Sequence, residues 1–163
     1  MATRIDGDLI VAGSFKANSF AVPSNSVGDT QFKASDALTA AKQEHQYART
    51  YAQANGSAVV SETRGIHIAY AGGTLQSLVA ALKTACVGAA TVVVDLKKNG
   101  TTVLSGTITL DNSIAAYATV AATFSSTAYS ADDVFEVVVT SAAGGGTLGQ
   151  GLTVTLVTHE DAA

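Results

Sequence analysis

The sequence predicts a mainly β protein: an antiparallel, jelly-roll-like β-sandwich over residues 57–163, preceded by an extended N-terminal arm over 1–34 and one α-helix over 35–56. Three observations carry this expectation. Residues 90–110 read as two alternating strands folded back at Asn99-Gly100, a pair that tolerates the positive φ of a tight hairpin turn. Seven or eight short alternating segments follow residue 57 at hairpin spacing, which is the pattern of a sandwich. Residues 35–54 are rich in Ala, Gln, Lys and Glu, all good helix formers.

The arm comes first. Leu9 and Val11 share one face, and Phe15, Phe20 and Val22 continue the apolar set between Gly7, Gly13 and Pro23. Two short strands alone are marginal in water, so the arm is expected to pair with the main domain, a neighbouring copy or a partner surface. Residues 23–34, which include Phe32, form a polar connector of turn residues. Ser35 suits a helix N-cap, Asp36 complements the positive helix end, and Asn55-Gly56 supplies a stop. Leu38, Ala41, His45, Ala48 and Ala52 make a small-residue seam at heptad spacing, with Tyr47 and Tyr51 as a second stripe. Such a helix packs either on its own sheet or at an inter-subunit axis.

From residue 57 the chain reads as β. Ile66, Ile68 and Tyr70 alternate with His67 and Ala69, which turns His67 away from the expected core. Residues 74–85 fit a strand or a short helix, and periodicity does not separate the two. In the central hairpin Val92, Val94 and Leu96 answer Thr102, Leu104, Ile108 and Leu110. Residues 114–124 are expected to be strand, and 125–133 a loop. Phe135, Val137 and Val139 mark the next strand, 141–151 a glycine-rich loop, and Leu152, Val154 and Leu156 the closing strand.

Charged residues are 13% of the chain, about half the usual share near 25%. That scarcity suits either a surface covered by other subunits, the reading favoured here, or an outside that is simply neutral and rich in Ala, Thr and Ser. A net charge of −4 without a Lys or Arg run argues against direct nucleic-acid binding. The single Cys86 precludes an intrachain disulfide and is expected to be a buried thiol. Acids precede any apolar stretch at the N-terminus and no apolar run is long enough to span a bilayer. Neither a signal peptide nor a membrane step is therefore expected, and folding is expected in a reducing cytoplasm.

No catalytic, cofactor or metal constellation stands out. The run from Gly144 to Gly149 matches G-x-G-x-x-G, but a strand follows it where a dinucleotide fingerprint needs a helix. His45, His67 and His159 lack metal-ligand spacing. A ring of His45 side chains round a threefold could hold an ion, although a packing histidine is the default. Asp132-Asp133 offers too few oxygens for calcium and reads as a turn.

Val94-Asp-Leu-Lys-Lys-Asn-Gly-Thr-Thr-Val-Leu-Ser, then Ile108-Thr-Leu-Asp, Asp133-Val-Phe-Glu-Val-Val-Val and Gly149-Gln-Gly-Leu-Thr-Val-Thr-Leu follow one another along the chain. Together they resemble a β-sandwich domain that recurs in tailed-bacteriophage virion proteins. Asp132 stands where that pattern has glycine. The N-terminal Ile5-Asp-Gly-Asp-Leu-Ile-Val-Ala-Gly-Ser-Phe also resembles short β-repeats that begin many phage fibre and baseplate chains. The resemblance spans residues 57–158 and, more loosely, the arm. It implies a non-enzymatic virion protein without cofactor. The expected form is a capsid decoration (cement) protein on the capsid surface, homotrimeric and bound across subunits of the major capsid protein. A tail, baseplate or fibre component with a receptor- or glycan-binding sandwich is the alternative. On the decoration reading, Leu9, Val11, Phe15, Phe20, Val22, Phe32, Leu38, His45, Tyr47 and Tyr51 are the expected interface residues.

Overall fold

A computed structural model describes residues 45–161, which fall in one of two compact units of the chain, Leu38–Ala163. Twelve strands follow in order: β1 (His45–Ala52), β2 (Glu62–Ile68), β3 (Gly73–Thr84), β4 (Thr91–Lys98), β5 (Thr101–Thr102), β6 (Leu104–Gly106), β7 (Ile108–Leu110), β8 (Val120–Ala121), β9 (Thr123–Phe124), β10 (Ala128–Tyr129), β11 (Val134–Ala142) and β12 (Gln150–Glu160). One five-stranded sheet, sheet A, runs β1-β12-β3-β10, with β8 also on β3. The second, sheet B, runs β2-β11-β4-β5, with β7 also on β4; β6 and β9 form a small ribbon. All the pairings are antiparallel.

The core lies between the sheets because each long strand alternates. On β4, Val92, Val94 and Leu96 are fully buried, and on β11 so are Phe135 and Val137, with Val139 close to it. From sheet A, Leu78, Leu82, Leu152, Val154 and Leu156 face them in one continuous cluster. Asn99 (φ 50) and Gly100 (φ 81) make the expected turn between β4 and β5. Residues 74–85, ambiguous between helix and strand, belong to β3. Cys86 is a buried free thiol; Gly149 N–H donates to its Sγ at 3.3 Å. Asp132 holds φ 67, a glycine-like conformation, at the turn into β11. Beside it, Asp133 accepts hydrogen bonds from Ser130 N–H (2.9 Å) and Asn99 Nδ2 (2.6 Å) and pairs with Lys98 (3.4 Å).

The return arm of the central hairpin is broken into β5, β6 and β7, whose middle piece pairs with β9 instead of β4, and the loop expected over 125–133 contains β10. Three further expectations need correction. The helix over 35–56 does not exist where it can be judged: His45–Ala52 is strand β1, paired in unbroken register with β12 from His45↔Glu160 to Ala52↔Thr153. Tyr47 and Tyr51 are four residues apart, a separation that returns to the same face in a helix and in a strand. The ladder to β12 overrides the Ala- and Gln-based helix propensity. The remainder of that segment before residue 45, and the arm over 1–34, lie outside the described residues. The strand expected over 114–124 is reduced to β8 and β9; the loop before them holds a turn at Asp111, whose Oδ1 accepts from Ser113 N–H (2.8 Å) and Oγ (2.6 Å). The third correction concerns His67. A register shift between Phe135 and Glu136 inserts Ile66 as an extra residue on β2. Beyond it the faces exchange: His67 turns inward, while Ile68 and Tyr70 are 66% and 81% exposed.

Candidate functional site

The described residues bring a row of polar side chains together where the edge strands of the two sheets meet, β1 of sheet A and β2 of sheet B. The ladder to β12 places His45, Tyr47, Arg49 and Tyr51 on the inner side of β1, since they lie opposite Glu160, Thr158, Leu156 and Val154. The ladder to β11 likewise turns Glu62, Arg64 and His67 inward, opposite Val139, Val137 and Phe135. Apolar rows from inner strands thus end on polar rows at both edges.

These rows bind the sheets to each other. The Tyr51 hydroxyl donates a short hydrogen bond to Glu62 Oε1. Gln53 Nε2 donates to Tyr51 Oη at 2.6 Å and to the Val60 carbonyl at 2.8 Å, while Gln53 Oε1 accepts from Val60 N–H at 2.9 Å. Burial, and then the adjoining Glu62 carboxylate, push the Tyr51 phenol up to about 12. The same bond, helped by Arg64 at 3.2 Å, holds the Glu62 carboxyl below its ordinary value. At the other end His67 Nε2 lies 2.8 Å from Glu160 Oε1, their side chains 7% and 5% exposed. The His67 ring stacks on Phe135 with centroids 6.0 Å apart. Arg49 lies over the Tyr47 ring at 4.9 Å, and His45 stacks on Tyr47.

The ten expected interface residues divide accordingly. Leu9, Val11, Phe15, Phe20, Val22, Phe32 and Leu38 lie outside the described residues. His45 and Tyr47 are half-buried on β1, whereas Tyr51, at 6% exposure, belongs to the sandwich's own core. Gln53, Glu62 and Glu160 were not singled out in the sequence. The alternation of His45, Tyr47, Arg49 and Tyr51 with Gln46, Ala48 and Thr50 is the period-two signal that could have placed them.

The Tyr51–Glu62 and His67–Glu160 contacts tie sheet to sheet, while Arg49 and His45 pack on Tyr47 within β1. Among the described residues no group of three or more His, Cys, Asp or Glu side chains is placed to hold a metal ion. The G-x-G-x-x-G run forms the turn between β11 and β12, with Thr147 bridged to Val87. No helix among the described residues is long and apolar enough to cross a membrane.

What the seam leaves open is the outer edge of β1. Among the described residues no strand pairs with it. Its eight residues contain no bulge or proline, and its outward side chains, Gln46, Ala48, Thr50 and Ala52, carry no charge. The β2 edge, by contrast, is interrupted by the Ile66 bulge. Sheet edges are normally protected by charge, proline, bulges or a covering segment, so β1 is the edge most open to another strand.

In comparisons with protein-family models, curated proteins and solved structures, nothing matches this chain.

Proposed function

We propose that this chain is a non-enzymatic virion protein of a tailed bacteriophage, a capsid decoration (cement) protein with a jelly-roll-like sandwich. It acts as a homotrimer on the capsid surface, bound across subunits of the major capsid protein. The observation that carries this reading is the outer edge of β1, which no strand among the described residues covers. Strand addition at such an edge gives affinity through main-chain hydrogen bonds and needs little side-chain chemistry, which fits a chain with 13% charged residues. Threefold clustering multiplies weak contacts through effective concentration. The virion setting rests on the resemblance of the 94–105, 133–139 and 149–156 segments, and its partner follows from that setting.

The test is binding of the purified chain to expanded heads. The decoration reading expects saturable binding at hundreds of copies per particle, weakened by Ala48→Pro, which blocks the β1 edge, and by removal of residues 1–34. Full binding by both variants refutes the edge-and-arm mechanism. A stoichiometry of a few to dozens per particle refutes the head location and favours the tail, baseplate or fibre alternative.

A further inference from the structure

The outer face of sheet A carries a second feature that the edge mechanism does not use. A cleft of about 330 Å³ is lined there by Asn55, Leu82, Lys83, Tyr117, Gly151 and Thr153, among others. Tyr117 stands at its rim with its residue 71% exposed and its backbone at φ 63. Only three non-glycine residues among those described have positive φ. Asn99 and Asp132 have short polar side chains that tolerate it; a bulky aromatic residue is an outlier there. The loop enforces the conformation: Tyr117 N–H donates to the Leu82 carbonyl at 2.8 Å, one turn after the Asp111–Ser113 turn. An exposed ring held in an unfavourable backbone serves neither the core nor the turn, and strain of this kind gathers at functional sites.

The groups round the ring supply polar chemistry. Lys83 forms no ion pair and Asn55 no side-chain hydrogen bond among the described residues. Thr153, exposed on β12 opposite Ala81, adds a hydroxyl that donates and accepts. The Asn55 amide stands over Gly151, where an added Cβ would come within 2.6 Å of its Oδ1, so the floor of the cleft admits no side chain.

We infer that this cleft is a saccharide-binding site for a carboxylate-bearing glycan. A pyranose ring presents a face of C–H groups and a rim of hydroxyls. The face suits the electron-rich face of Tyr117, a rigid contact that loses little entropy on binding. The rim suits the donor and acceptor of Asn55 and the hydroxyl of Thr153. Lys83, without a carboxylate of its own, matches an acidic sugar. A nucleotide would also stack, but its phosphates call for clustered cations, and the cleft has one in a chain of net charge −4. The inference stands on the cleft alone and does not rest on the capsid assignment.

The test uses the full chain and two probes, tetragalacturonate and the neutral maltotetraose, by saturation-transfer NMR and calorimetric titration. The wild type is expected to bind tetragalacturonate more tightly than maltotetraose. Tyr117→Asn removes the ring but tolerates the backbone, so thermal stability holds or rises while affinity falls about tenfold or more. Lys83→Gln is expected to weaken tetragalacturonate selectively. Absence of binding to both probes, or undiminished binding by Tyr117→Asn, overturns the site. Binding of maltotetraose alone, or equal loss of both probes in Lys83→Gln, overturns its assignment to acidic sugars.

Discussion

Replacing His67 with Leu tests how the two sheets are held at their shared edge. His67 belongs to sheet B and Glu160 to sheet A, and their 2.8 Å contact lies where both side chains are more than nine-tenths buried. The substitution keeps an apolar body against Phe135 but leaves the Glu160 carboxylate enclosed without its partner. Breaking a buried pair in this way costs about 3–5 kcal/mol. A loss of about 3 kcal/mol, the lower end of that range, is expected. Adding Glu160→Leu removes the stranded charge and should restore stability to within about 1 kcal/mol of wild type, because an apolar pair of similar volume is often neutral or better. Urea unfolding followed by tyrosine fluorescence reads both values, as the chain has five Tyr and no Trp. With a slope of about 2 kcal/mol per molar urea, the single variant's midpoint falls by about 1.5 M. Measuring Glu160→Leu alone completes a double-mutant cycle, in which a coupling of at least about 2 kcal/mol is expected. A single variant within about 1 kcal/mol of wild type, or a double variant no better than the single, would refute the reasoning.

Thr158 is fully buried and its Oγ1 makes no well-formed hydrogen bond; it lies beside the Tyr129 hydroxyl, which donates to the His159 carbonyl at 3.0 Å. Thr158→Val should therefore be neutral or stabilise by about 1 kcal/mol in the same urea assay, since it removes an unmet desolvation cost. Gly73→Ala should destabilise by about 3 kcal/mol or more. Its Cβ would lie 2.2 Å from the His159 carbonyl oxygen, a backbone atom that cannot step aside alone. Acid should weaken the fold through Asp133 and Glu62. Ser130 N–H, ahead of Asn99 and Lys98, holds Asp133 below the ordinary carboxylate range, and Tyr51, with Arg64, does so for Glu62. A lowered folded-state pKa gives stability that is complete above the unfolded-state value and is lost as pH falls through the folded-state value. Denaturation midpoints should thus drop on the acid side of the unfolded carboxylate range, and Asp133→Asn should flatten that drop; an unchanged profile would count against the assignment.

The central sandwich was legible because its signals are local and agree with one another. Val92, Val94, Leu96, Phe135, Val137, Val139, Leu152, Val154 and Leu156 alternate with more polar neighbours, and the structure buries every one. Asn99-Gly100 fixed one turn by its own chemistry. The failures came where local preference and long-range pairing part. Residues 45–52 carry helix-forming Ala and Gln, yet their partner β12 begins almost a hundred residues later, and nothing nearby in sequence announces it. His67 was turned the wrong way because one bulge residue, Ile66, reverses every face after it. Of the candidate site, the tyrosines of β1 were visible as aromatics but misassigned in setting. Tyr117 fell within the segment expected as strand over 114–124, since backbone strain leaves no trace in composition.

The pairing of His45 with Glu160 has a topological consequence. The first described strand begins beside the end of the last, so a few linking residues could join His45 to Glu160 and close that segment into a ring. Such a ring, reopened at the Asn99-Gly100 tip, would yield a circular permutant with the same ladders in a different chain order. Anything genetically fused just ahead of β1 would likewise emerge beside anything fused just behind β12, leaving the opposite corner unencumbered.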